Sequence, residues 1–194
     1  MNSREKILQA IRAGKPDFRP LPPPVHHDSG YPDVAGQFGT VLEAIGGRVV
    51  RVDSPAEVAA YLAAHFDLRQ PVVSLVEGLP AGNVSPLPTD DPHAFEHLYL
   101  TVLESNLGVA ENGAVWVDER RLPLRALPFI TLYLAVVLRE DQLVGNLHEA
   151  YAKLDFRAGY GVFIAGPSKT ADIEQSLVIG AHGPKSMTVF LVRS

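Results

Sequence analysis

The chain has 194 residues, 46% of them hydrophobic and 20% charged, with 16 glycines, 16 prolines and no cysteine. A chain of this length suits one domain that removes roughly 70% of its unfolded surface from water. The absence of cysteine excludes disulfides, thiolate zinc sites, cysteine-ligated iron–sulfur clusters and cysteine nucleophiles in this polypeptide, and a formal charge of −5 argues against a general nucleic-acid binder.

The opening segment predicts a short amphipathic helix, capped by Asn2 or Ser3, with Ile7, Leu8 and Ile11 on one face and Gly14 as its stop. Residues 15–32 carry six prolines, from Pro16 to Pro32, and read as an extended connector. Residues 1–32 are therefore expected to form a helix on a proline-rich arm, and residues 33–194 the folded domain. From Asp33 the pattern alternates. Val34, Phe38, Val41, Leu42 and Ile45 recur at helical spacing before Gly46-Gly47, and Arg48 to Val52 reads as a strand. Ser54-Pro55-Ala56-Glu57 predicts a helix start with Ser54 as cap and Glu57 closing a capping box, and Pro71 to Val76 a buried strand.

Residues 77–92 read as a loop, and His97 to Leu103 as a strand. Asn112-Gly113 predicts a tight turn into the strand Ala114 to Val117. Further strands are expected at Ile130 to Leu138, Tyr160 to Ala165 and Met187 to Val192. Helices are expected over Glu140 to Leu154, with Leu143, Leu147, Tyr151 and Leu154 inward, and from Ser168 to Glu174. Such alternation implies an α/β fold, a layered and largely parallel sheet with helices on both faces. The N-terminus lacks the apolar run of a signal peptide, and the apolar stretch Leu127 to Leu138 is too short to span a bilayer, so the chain reads as soluble and cytoplasmic with no membrane span.

Three loops carry polar groups where open α/β sheets place ligands: 104–113, 166–174 and 180–185. In the second, free N–H groups of Gly166 to Thr170, the Ser168 and Thr170 hydroxyls and Lys169 could cradle a phosphate or carboxylate. Asp172 and Glu174 would oppose an anion, and ordinary helix capping accounts for the same residues. His182, between small neighbours that include Gly183, has room for proton transfer or oxyanion stabilisation, although a lone histidine also serves structure. Glu111, an acid beside an apolar run, could act as a general acid or base if burial raised its pKa. His93 and His97 have a metal-like spacing but no third ligand nearby, so no metal site is expected.

Four strings occur in order: Gly108-Val109-Ala110-Glu111-Asn112-Gly113-Ala114-Val115, Leu127-Pro128-Phe129-Ile130, Gly166 through Glu174, and Gly180-Ala181-His182-Gly183-Pro184. From Asp33 to Val192 the chain resembles the LUD domain of the lactate-utilization protein C family (LutC/YkgG-like), and Ser3 to Leu8 resembles that family's start. The resemblance implies a fold similar to the NagB/RpiA/CoA-transferase group. It also implies a role in oxidising L-lactate to pyruvate beside partner proteins that carry iron–sulfur clusters. The chain departs from the family's Glu-Thr-Gly-Thr at Glu111-Asn112-Gly113-Ala114, losing two hydroxyls.

The expectation is a subunit that binds a small carboxylate or phosphorylated ligand. Glu111 and His182 are the candidates for catalysis; Asn112, Gly113, Gly166, Ser168, Lys169, Thr170, Asp172 and Gly183 are the candidates for ligand binding. Two alternatives stand beside it: a non-catalytic assembly subunit whose arm docks on the iron–sulfur partners, and a stand-alone small-molecule transferase or isomerase of the same fold.

Overall fold

A computed structural model describes residues 2–23, 25, 27–28, 30–79, 82–87, 90–155, 157, 159–170 and 178–193. Helix α1 (Ser3–Ala13) starts on a capping box in which Asn2 accepts from the Glu5 N–H and Glu5 reaches back to the Asn2 N–H; none of its residues is buried. Helix α2 (Val34–Ala44), capped by Asp33, leads through Gly46-Gly47 into β1 (Arg48–Val52), then α3 (Pro55–His65) and β2 (Val72–Ser74). Then come β3 (Leu100–Glu104), β4 (Gly108–Val109), β5 (Ala114–Asp118), the short α4 (Leu127–Ile130) and β6 (Tyr133–Arg139). The chain continues with β7 (Leu143–Val144), α5 (Leu147–Lys153), β8 (Gly161–Ile164), β9 (Lys169–Thr170), β10 (Val178–Ile179) and β11 (Ser186–Val192).

Five strands form a wholly parallel sheet in the order β1-β11-β6-β3-β2. Alternation along its central strands serves two cores. Leu134, Val136 and Leu138 of β6 and Met187, Val189 and Leu191 of β11 face α2, whereas Ala135, Val137 and Phe190 face α3. A second sheet, β7-β4-β5-β8, lies beside α2 on the first of these faces, contributing Val115 and Val117 to that core. Its outer face carries Val109, Trp116 and Val144 and is covered by α5 through Ala150 and Leu147. The layers therefore run α3, parallel sheet, α2 with the second sheet, and α5. The expected layered α/β fold is present, with the second sheet sharing one face with a helix.

Several local expectations need correction. The helix expected over 140–154 divides into a 3-10 turn at Glu140–Gln142, strand β7 and the seven-residue α5, because Asn146 caps a new helix start. Leu143 accordingly pairs with Gly108 in a strand, and Tyr151 is exposed. The strand expected from Ile130 begins at Tyr133, after α4, and the one expected from His97 begins at Leu100. Ser54 makes no side-chain cap; Glu57 bonds the N–H of Asp53 instead. The helix expected from Ser168 is absent at its start, where Lys169 and Thr170 pair as a strand with Ile179 and Val178; its remainder, 171–174, lies outside the described residues.

Asp118 closes β5 as a buried carboxylate that accepts from the Arg120 backbone N–H (3.0 Å) and from its Nη2 (2.9 Å). The bond from the Arg120 guanidinium, ahead of burial, holds its pKa below the ordinary 3.8. A depressed carboxyl pKa contributes stability that is present above the unfolded value and is lost as pH falls through the folded one. Asp118→Asn is expected to lower unfolding free energy at pH 7 by about 1–3 kcal/mol. It should also flatten the loss of stability on acidification below about pH 4, the unfolded carboxyl range, as read from urea unfolding at a series of pH values.

Candidate functional site

Because all five strands of the main sheet are parallel, their starts share one edge. The loop 180–185 leads into β11 and Gly46-Gly47 leads into β1, so both lie at that edge. The second sheet brings the other candidate segments there. A Cβ on Gly113 (φ +66°) would lie 2.9 Å from the Leu42 nitrogen, and one on Gly166 (φ +71°) 3.1 Å from the Ile45 carbonyl oxygen, so both glycines pack on the last turn of α2. The β5–β8 register, with Val115 opposite Ile164, continues to place Gly113 level with Gly166. These positions tolerate only glycine, since they combine positive φ with backbone contact.

The second and third loops are joined directly. The Ser168 N–H donates to the Pro184 carbonyl (2.9 Å), the Gly180 N–H donates to the Ser168 carbonyl (2.9 Å), and a Cβ on Gly183 would lie 3.0 Å from that of Ser168. Gly113, Gly166, Ser168 and Gly183 are thus brought to one end of the molecule. That end is where the parallel strands begin, opposite the strand ends where the sequence pattern placed ligands. Glu104 to Asn106, the start of the first loop, stays at the far end, where Glu104 pairs with Arg121 (2.7 Å) and buried Ser105 donates to the Trp116 carbonyl.

The backbone cradle changes character as a result. Pro167 has no N–H and that of Ser168 is engaged, so these two positions offer no free backbone donor. Among the described residues, the Ser168 hydroxyl, the Lys169 ammonium and the His182 ring have no hydrogen-bond or ion-pair partner, while Thr170 Oγ1 donates to the Val178 carbonyl at 3.4 Å. Alternation along β9 separates these groups. Ser168 faces Gly183, whereas Lys169 reaches back so that its Cε lies near Gly46. His182 lines an open groove of about 360 Å3 with Phe129, Ile130, Thr131 and Glu96. Asp172 lies outside the described residues.

Glu111 is exposed, and its Oε1 accepts from the Leu147 N–H (2.8 Å), the first residue of α5. Asn146 and Glu149 complete that helix start: Asn146 Oδ1 accepts from the Glu149 N–H, Glu149 accepts from the Gly145 N–H, and Asn146 Nδ2 donates to the His27 carbonyl. Glu111 and His182 therefore serve different elements, α5 and the α4 groove. Asn112 Oδ1 accepts from the Ala114 N–H (3.0 Å), fixing the turn. Asn146 was missed in the sequence, although Asn146-Leu147-His148-Glu149 has capping-box spacing. No cluster of three or more potential metal ligands occurs among the described residues, and no helix there is long and apolar enough to cross a membrane.

Residues 93–192 match the model of the LUD domain, so the chain belongs to the LUD domain family. Similar curated proteins share the name lactate utilization protein C. That of Bacillus pumilus is 30% identical over 104 residues, covering 50% of this chain and 43% of the relative. That of Geobacillus kaustophilus is 34% identical over 106 residues, covering 51% and 44%. In both, the match spans less than half of the relative's length. That of Deinococcus radiodurans is 27% identical over 202 residues, covering 96% of this chain and 92% of the relative. A solved structure of a DUF162 family protein from Deinococcus radiodurans superposes with a TM-score of 0.57 at 20% identity, covering 82% of this chain and 96% of that one, which shows a shared fold.

The contacts of Glu111 make a structural test direct. Glu111→Ala removes the acceptor for the first α5 N–H and is expected to lower unfolding free energy by about 1 kcal/mol. Hydrogen exchange should quicken selectively at the amide of Leu147. Unchanged stability and exchange would return the carboxylate to the list of candidates for chemistry.

Proposed function

We propose that this chain is a subunit of an L-lactate utilization system, in which lactate is oxidised to pyruvate, and that it holds a small carboxylate or phosphorylated ligand where the three loops meet. The observation that carries the reading is the alignment along 92% of a relative named lactate utilization protein C. The convergence of Gly113, Gly166, Ser168 and Gly183 on one edge, with Ser168, Lys169 and His182 unpartnered among the described residues, supports a ligand there. His182 is the candidate proton carrier of this arrangement, because its ring carries two nitrogens that can donate or accept a hydrogen bond. A chain without cysteine holds no cysteine-ligated cluster, so in this reading electrons pass to iron–sulfur partner proteins in the cytoplasm.

A strain lacking this gene, and any paralogue, is expected to grow poorly with L-lactate as sole carbon source and normally on glucose. Complementation with the wild-type gene should restore growth, and complementation with a Ser168→Ala/His182→Ala variant should not. Normal growth of the deletion strain on L-lactate would overturn the reading.

A second reading, the assembly subunit, is favoured by one specific observation. The arm leaves Ile7 (60%), Ile11 (54%), Phe18 (91%), Leu21 (91%) and Val25 (71%) exposed, an apolar series that invites cover. Among the described residues, the arm is tied to the domain at His27, which accepts from Asn146 and stacks on His148 at 4.3 Å, and at Tyr31, which packs against the core. Removal of residues 2–25 should therefore leave the melting temperature of the domain unchanged. If the assembly reading holds, it abolishes co-purification with the iron–sulfur partners; retained co-purification would rule that reading out.

A further inference from the structure

Nine arginines follow residue 33, and eight of them lie within 4.0 Å of a carboxylate: Arg51, Arg69, Arg120, Arg121, Arg125, Arg139, Arg157 and Arg193. Arg48 is the exception among the described residues. It opens β1 at the strand-start edge, and its Nη1 donates to the Tyr61 hydroxyl (3.2 Å). Tyr61 is itself held, since its ring stacks on His65 at 3.8 Å and 13° and packs edge-on against Phe190 at 5.2 Å. The guanidinium is thus positioned by a neutral group, with no carboxylate partner among the described residues.

Arg48 lines a groove of about 290 Å3 together with Gly46, Gly47, Tyr61, His65 and Ser186. The Ser186 hydroxyl has no partner among the described residues, and the imidazole of His65 turns its Nδ1 to the Tyr61 carbonyl (2.9 Å), which leaves Nε2 for other contacts. Lys169 is a second cation next to a lining residue, its Cε 3.9 Å from where a Cβ on Gly46 would stand. Among the described residues no carboxylate lines the groove. Two cations, a hydroxyl and a flat aromatic wall in a protein of formal charge −5 form a site complementary to an anion.

We propose that this groove is an oxyanion-binding site in which Arg48, preset by Tyr61, and Lys169 hold the carboxylate or phosphate of a small metabolite while Ser186 donates a hydrogen bond. The volume lies at the lower limit of small-ligand pockets, which fits a metabolite and is too small for a dinucleotide. The guanidinium supplies two parallel donors to two oxygens of the anion, and the ammonium supplies a point charge. The site shares its edge with the three-loop site but not its lactate reading: failure of the growth experiment above leaves the groove's binding unaffected.

The test is a titration of the full chain with inorganic phosphate and, separately, with pyruvate, followed by amide and side-chain NMR shifts at constant ionic strength. Saturable shifts are expected at Gly46, Gly47, Arg48, His65 and Ser186. Arg48→Gln should weaken binding about tenfold, with a smaller loss for Lys169→Ala and none for Arg51→Gln, which removes the same charge at the opposite edge. Saturation by phosphate alone assigns a phosphate ester, and saturation by pyruvate alone assigns a carboxylate; either supports the site. The wild-type shift map stands whether or not Arg48→Gln folds. No saturable shift with either anion, shifts confined to Gly180–Gly183, or equal losses in Arg48→Gln and Arg51→Gln would each overturn the proposal. Those results would leave Arg48 as a counter-charge to the carbonyl ends of α2 and α3.

Discussion

A wholly parallel sheet has two apolar faces, and the rest of this molecule follows from the need to cover both. Helix α3 covers one face through Val58 and Leu62. The other face is shared by α2 and the second sheet, and the second sheet then has an outer face of its own, with Trp116 and Val109, that calls for α5. Helix α5 has only seven residues, too few to be stable alone, and depends on a full set of partners for its first N–H groups. Glu111 accepts from the Leu147 N–H and Asn146 from the Glu149 N–H, Glu149 reaches back to the Gly145 N–H ahead of the cap, and Asn146 extends the tie to the arm at His27. The arm, the Glu111 turn and the last layer thus form one chain of dependence that begins with the hydrophobic faces of β6 and β11.

The same architecture fixes the electrostatics of the two sheet edges. Helices α2 and α3 run against the strands, so their carbonyl ends, with partial negative charge, meet the strand starts. Arg48, His65 and Lys169 gather at that edge. At the opposite edge the arginines are neutralised in pairs: Arg51 with Glu140, Arg193 with Asp53, Arg121 with Glu104 and Arg139 with Asp141. An anion arriving at the strand ends meets no uncompensated arginine there among the described residues. At the strand starts it meets side-chain cations in place of helix N–H groups. Of the backbone cradle sought in the sequence at Gly166 to Thr170, the Pro167 position has no N–H and that of Ser168 is engaged by the Pro184 carbonyl.

The elements that were legible in the sequence are those whose pattern is set locally. Phe38 and Leu42 mark α2, Pro55 marks the first turn of α3, Asn112-Gly113 marks the hairpin, and β5 and β11 are apolar because both of their faces are covered. The stretch 140–154 misled because Leu143, Leu147, Tyr151 and Leu154 keep helical spacing by coincidence. Leu143 is apolar because it pairs in β7, and the register is broken by the cap at Asn146. At 166–170 the Gly-Pro-Ser string resembles a helix start, yet β9 forms because Ser168 is bonded on both sides to the loop before β11, a partner distant in sequence. The candidate site was legible as three polar loops, and the packing of Gly113 and Gly166 on one helix turn required the fold. Arg48 carried no sequence signal, since its distinction is the lack of a carboxylate partner among the described residues, a property of three-dimensional surroundings.

The departure from the expected Glu-Thr-Gly-Thr turn can be weighed on the same basis. Ala114 is 1% exposed at the start of β5 and by alternation shares the face of Trp116, so a threonine hydroxyl there would be buried and could not reach a ligand without repacking. At position 112 the asparagine amide oxygen already performs the local task of a hydroxyl, accepting the Ala114 N–H to hold the turn. Gly113, the member of the turn that meets α2, is unchanged. The two lost hydroxyls therefore alter neither the positive-φ approach to Leu42 nor the alignment of the turn with Gly166. What the turn contributes to the edge is its shape, and that shape is kept by Asn112 and Gly113 together.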